Sequence, residues 1–141
     1  MSKWTACSSE DAIKLKEIKL KYKEKVVKEC LNILKDIDKN LNDFYRNFMS
    51  YPYEYADRFD ELMERVGIDL SLKENLSKDE IIKIKEELEK ECIEPAKELL
   101  QRTIVEIGYS MFKILDNELK MLEKYYKALQ SQIDLQKKDL E

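Results

Sequence analysis

The chain has 141 residues, 43% hydrophobic and 40% charged, with a formal net charge of −4. That is too apolar for a disordered segment, and the acidic balance does not suit a polyanion-coating protein. Two glycines, two prolines and no histidine leave too few turns for a many-stranded β fold. They also exclude Ser-His-Asp and Cys-His nucleophiles, His-bearing zinc sites and the Glu-x-x-His pairs of di-iron bundles.

Residues 1–8 are expected to form an N-terminal tail, and 9–141 a single helical domain. Ser9, followed by Glu10 and Asp11, is a helix start, with a hydroxyl to cap free N–H groups and acids at the positive end of the dipole. The first helix is predicted from about Glu10 to Met49. Its apolar residues repeat every eleven: Tyr22, Ile33 and Phe44; Leu15, Val26, Ile37 and Phe48; Cys30 and Leu41. Eleven residues make three turns of a nearly straight helix, so these rows hold one face over a long distance. A flanking row, Ile13, Leu20, Val27, Leu31 and Leu34, widens the apolar surface beyond a two-helix seam.

Between Lys14 and Lys28 the helix carries seven lysines against two glutamates. Lys19, Lys21, Lys23 and Lys25 are candidate polyanion contacts. The lysines circle the helix, however, and no arginine fork is among them. The stretch from Glu54 to Glu94 holds fourteen acids against seven bases, so mutual neutralisation competes with nucleic-acid binding.

Pro52 stops the first helix at the Ser50-Tyr51 step. A short second helix is expected over 54–66, closed by Gly67 as a left-handed cap. Residues 68–76 are then an extended linker, with Ile68, Leu70 and Leu72 alternating. The aromatics Phe44, Tyr45, Phe48, Tyr51, Tyr53, Tyr55 and Phe59 gather at this corner as a core plug, with a partner or ligand site as the alternative.

Ser77-Lys78-Asp79-Glu80 is a capping box. One helix is predicted from 78 to 137, kinked near Pro95, because the apolar phase Leu88, Cys92, Ala96, Leu99, Thr103, Ile107 continues through the proline. Glutamates 86, 87, 89, 91 and 94 interleave with Lys83, Lys85 and Lys90 as a solvated, paired face. The later half carries a heptad-like row from Ile104 through Gly108, Met111, Leu115, Leu119, Leu122, Tyr126 and Leu129 to Ile133.

The expected architecture is all-α: a long-short-long antiparallel bundle or coiled-coil-like hairpin. Two long apolar stripes exceed what the short helix covers, so a partner surface is expected at Ile13, Leu20, Val27, Leu115, Leu122, Tyr126, Leu129 and Ile133. The alternative is that the long arms cover each other. The functional expectation is a non-catalytic interaction or assembly module, binding itself or another helical protein, with no cofactor, metal or catalytic residue. A nucleic-acid-associated or virion structural protein is the second reading. Cys7, Cys30 and Cys92 form no Cys-x-x-Cys unit, and no apolar run approaches the ~18–20 residues of a membrane span. Both point to a cytoplasmic or intracellular viral setting, without membrane insertion.

Overall fold

The computed structural model describes the backbone of residues 2–46, 51–105 and 111–140, and their side chains except those of 2–9, 44, 45, 51, 103–105 and 111–114. All of its regular structure is helical: α1 (Ser2–Lys39), α2 (Leu41–Arg46), α3 (Tyr51–Lys73), α4 (Lys78–Leu88), a π turn (Glu89–Ile93), α5 (Glu94–Val105) and α6 (Met111–Leu140). The π turn joins α4 to α5 without a break, so 78–105 is one rod.

Side-chain bridges define the topology. Lys21 meets Glu74, Lys25 meets Asp69 and Asp36 meets Arg58, so α1 and α3 are antiparallel. Lys19 meets Glu87 and Lys23 meets Glu91, so α1 and the α4–α5 rod are parallel. Tyr125 meets Glu91 while Arg102 meets Glu118, so α6 returns antiparallel to that rod, beside α1, where Lys137 reaches Glu24. The protein is an up-down-up-down four-helix bundle, one of the compact ways to bury four amphipathic stripes together. Phe59, Leu70, Ile84, Leu100, Tyr126 and Ile133 are among its fully buried residues.

Several expectations change. Helix α1 already runs from Ser2, so residues 2–8 are helical rather than a tail and Ser9 is not the start; nothing from Ser2 to Ser9 is a Gly or Pro that would stop a helix. It ends at Lys39, not Met49. Asn40 breaks it, its N–H shared between the carbonyls of Asp36 and Ile37 and its side chain donating to Tyr55 Oη at 3.2 Å, the local competition that makes Asn a poor helix interior. Phe48 lies outside the described residues.

Helix α3 begins with Tyr51 and buried Pro52, a residue suited to a first turn, and continues through Gly67 to Lys73. Gly67 does not adopt positive φ. Val66 and Leu70 on either side of it are both buried, so the core stripe carries the helix onward. Ile68 and Leu72 lie on its outer face, 56% and 80% exposed, rather than in an extended linker.

The capping box is present: the Glu80 N–H donates to Ser77 Oγ at 3.2 Å, and the Ser77 N–H donates to Glu80 Oε1 at 3.0 Å. The rod continues through Pro95, as its apolar phase implied, with a π turn just before the proline, but the single helix 78–137 does not exist. α5 and α6 are antiparallel, and the reversal falls between Val105 and Met111; Gly108 and Ile107 lie outside the described residues.

That reversal overturns the expected partner surface. Leu20, Val27, Leu115, Leu122, Tyr126, Leu129 and Ile133 are all buried in the chain's own core, and Ile13 alone of the eight remains exposed, at 47%. Three long rods, not one short helix, cover α1, so the stripes that looked surplus are matched within one copy.

Candidate functional site

The lysine row of α1 is the first candidate. Residues four apart share a helix face, so Lys19 and Lys23 reach one neighbour while Lys21 and Lys25 reach another. Lys19 Nζ lies 3.2 Å from Glu87 and Lys23 pairs with Glu91, both on the α4–α5 rod. Lys21 lies 3.0 Å from Glu74 just past α3, and Lys25 3.3 Å from Asp69 within α3. Lys21 and Lys25 also lie 5.5 and 5.9 Å from the Tyr22 ring centroid. The hydrogen bond and charge of Glu74 raise the Lys21 pKa above its ordinary 10.5. All four polyanion candidates are therefore engaged by the chain's own acids. Glu24 extends the arrangement: hydrogen bonds from Lys137 and Lys28 hold its carboxyl below the ordinary 4.5.

The glutamate-rich stretch divides. Glu87 and Glu91 turn to α1, while Glu89 lines an open groove of about 450 Å³ against Asp57, Asp60, Glu61 and Glu64 of α3, with Lys85 beside them. Asp60 is paired with Lys97 at 2.7 Å. Among the described residues no cluster of three or more carboxylates or thiols is placed to hold a metal ion.

The aromatic corner also divides. Tyr55 and Phe59 are core residues, Arg58 stacking 5.1 Å from the Tyr55 ring centroid, whereas Tyr53 is 57% exposed. The side chains of Phe44, Tyr45, Phe48 and Tyr51 lie outside the described residues.

A second polar site, which sequence reasoning missed, sits in the interior. Pro95 has no N–H, so the carbonyl of Glu91 loses its helical donor; the π turn before it shifts the ladder by one residue, Glu94 N–H bonding the Glu89 carbonyl. α6 supplies the replacement. Tyr125 Oη donates to the Glu91 carbonyl at 2.6 Å, Tyr126 Oη donates to the Cys92 carbonyl, and Cys30 Sγ of α1 approaches that same carbonyl at 3.9 Å. Tyr126, Cys30 and Cys92 are fully enclosed. Burial pushes both thiols up to about 12 and raises the Tyr126 phenol as well. All three stay protonated at neutral pH, so the junction donates hydrogen bonds and holds no thiolate nucleophile. Its signal in the sequence was an interior proline with a freed carbonyl, together with the chain's one Tyr-Tyr pair at 125–126.

Among the described residues no helix is long and apolar enough to cross a membrane. No family model, no curated protein and no solved structure matches the chain.

Proposed function

We propose that the chain is a non-catalytic helical interaction or assembly module, working as a homo-oligomer or as a subunit of a complex, and that it engages its partner through the first turns of α1. The observation that carries this reading is the reach of α1 past its neighbours. Lys21 meets Glu74 just beyond the end of α3, and Glu24 meets Lys137, three residues before α6 ends at Leu140. The helix nevertheless extends back to Ser2, about 20 Å beyond Leu15 at 1.5 Å per residue. Glu10, Asp11, Ala12, Ile13 and Lys14 are all exposed. Only the start of α4 is long enough to run alongside part of this stretch. The described side chains from Glu10 to Lys14 have no packed face, and an unpacked helical end is marginal in water, so a partner helix laid against it stabilises both.

The polyanion reading has weaker support, because Lys19, Lys21, Lys23 and Lys25 are each committed to a carboxylate of the same chain. The test is light scattering over a concentration series, on the full chain and on a form lacking residues 2–14. The full chain should associate; the truncated form should stay monomeric with its melting temperature nearly unchanged. A full chain that is monomeric throughout and retains no helical partner in pull-downs, or a truncated form that associates equally well, overturns the reading.

A further inference from the structure

The first turns of α1 and the last turns of α6 carry matching faces. On α1, Glu10, Ile13, Lys14 and Glu17 share one side of the helix by their spacing and are all exposed, Ile13 by 47%. On α6, Ser131, Asp134, Leu135 and Lys138 have the same spacing and are exposed too, Leu135 by 62%. Each face sets one aliphatic side chain beside charges of both signs or a charge and a hydroxyl. Laid antiparallel, the faces complement each other position by position. Ile13 meets Leu135, Glu10 meets Lys138, Lys14 meets Asp134 and Glu17 meets Ser131, and no like charges are opposed. Laid parallel, Ile13 meets Asp134 and Leu135 meets Lys14, so each aliphatic group strips water from a charge. The two faces cannot meet within one chain. There Lys137 pairs with Glu24, which leaves Ile13 eleven residues, about 16 Å, beyond that level. The charges are also uncommitted. Lys19, Lys21, Lys23, Lys25 and Lys28 are all paired within the chain, whereas Glu10, Lys14, Asp134 and Lys138 form no ion pair with a described residue.

We infer that the partner of α1's first turns is a second copy of this chain, docked antiparallel on α6 at Leu135; the assignment rests on the interaction-module reading and names its partner. The bridge from Lys137 to Glu24 sets the last turns of α6 beside α1, so both faces lie toward the same end of the bundle. One two-fold axis therefore brings α1 of each copy onto α6 of the other, and the contact is self-complementary and closes at two copies. Burial of Ile13 and Leu135 supplies the adhesion, and the charge pairs around them fix the direction. Two contacts of about two turns each fall at the low end of specific interfaces, under about 1,200 Å², so the dimer is weak and its population follows protein concentration.

Charge reversal with complementation tests the pairing on the full chain. Glu10→Lys and Lys14→Glu, made together, set like charges against Lys138 and Asp134 in both contacts of a dimer. Asp134→Lys with Lys138→Glu does the same from the other side. In sedimentation at low salt, where exposed charges are least screened, either double variant alone should dimerise about tenfold or more weakly than the native chain. Mixed in equal amounts, the two variants recover opposite charges in both contacts, and the mixture should associate within about threefold of native. Met121→Lys, exposed on α6 but outside the contact, should leave association unchanged. Double variants that associate as the native chain does, a mixture as weak as its components, or an equal loss in Met121→Lys each overturn the inference. Should a double variant fail to fold, Leu135→Lys decides: it should weaken association about tenfold, and native-level association overturns the inference. If the inference fails while the form lacking residues 2–14 is still monomeric, α1 remains the contact helix and only the face it meets is wrong. A native chain that never self-associates overturns the second copy as partner, and a different helical protein retained in pull-downs would then keep the interaction-module reading alone.

Discussion

The interior of the bundle and the charged flanks of α1 join the same helices, yet they tolerate change differently. Inside, Val26, Val27, Cys30, Phe59 and Leu70 show essentially no surface, so every atom there has neighbours to lose. On the flanks, Lys21, Lys25 and Lys28 keep more than half of their side-chain surface in water, where solvent and salt compete with each pair. The interior supplies the adhesion. The flanks help assign neighbours, since lysines four apart select α3 on one side and the α4–α5 rod on the other.

Substitutions can break or sharpen this contrast. The largest effect is expected inside: Phe59→Ala should cost about 3–5 kcal/mol of unfolding free energy in urea titration, through lost transfer energy plus a cavity. A loss no larger than that of a flank substitution would erase the distinction. At the bundle's end, Ser77→Ala removes one half of the capping box and should cost about 1 kcal/mol, with faster hydrogen exchange confined to the first turn of α4. Gly67→Ala should have the opposite sign. A Cβ there comes within 3.3 Å of the Lys85 side chain, a flexible stem that can move aside, while the helix interior gains about 0.5–1 kcal/mol from replacing glycine; a lower urea midpoint would show that Lys85 cannot give way.

The smallest effect is a change in pH dependence. Lys137 and Lys28 hold Glu24 below its ordinary 4.5. The folded state therefore binds that proton less readily than the unfolded state. The contribution is present above about pH 4.5 and is lost as the pH falls through the folded value. Between about pH 5 and pH 3 the melting temperature of Glu24→Gln should fall less steeply than that of the native chain. Parallel curves would show that the carboxylate adds nothing to the flank.

Local signals were legible in proportion to how local their physics is. The Ser77–Glu80 box needs only four residues to satisfy itself, and it appears where it was expected. The stripe from Leu115 to Ile133 correctly marked a buried face, but periodicity identifies a face without naming what covers it. Gly67 was misread because a glycine after Val66 resembles a cap until one sees that Leu70 must also be buried and that the Lys85 stem lies over the space it leaves. Of the interior polar site, the proline was visible and the tyrosines were visible, but their meeting was not: Tyr126 and Cys92 are 34 residues apart, and Cys30 and Cys92 are 62.

Composition and periodicity by themselves determined an all-helical chain with amphipathic rods, a lysine-rich first helix and a continuous apolar phase through Pro95, because each depends on neighbours within a turn or two. Tertiary structure alone decided that the chain reverses after Val105, that the leucine seam closes on its own α1, and that Lys19, Lys21, Lys23 and Lys25 are paired from within. Those outcomes depend on which distant surfaces meet, and periodicity within one segment says nothing of a surface that lies 34 or 62 residues away in the chain.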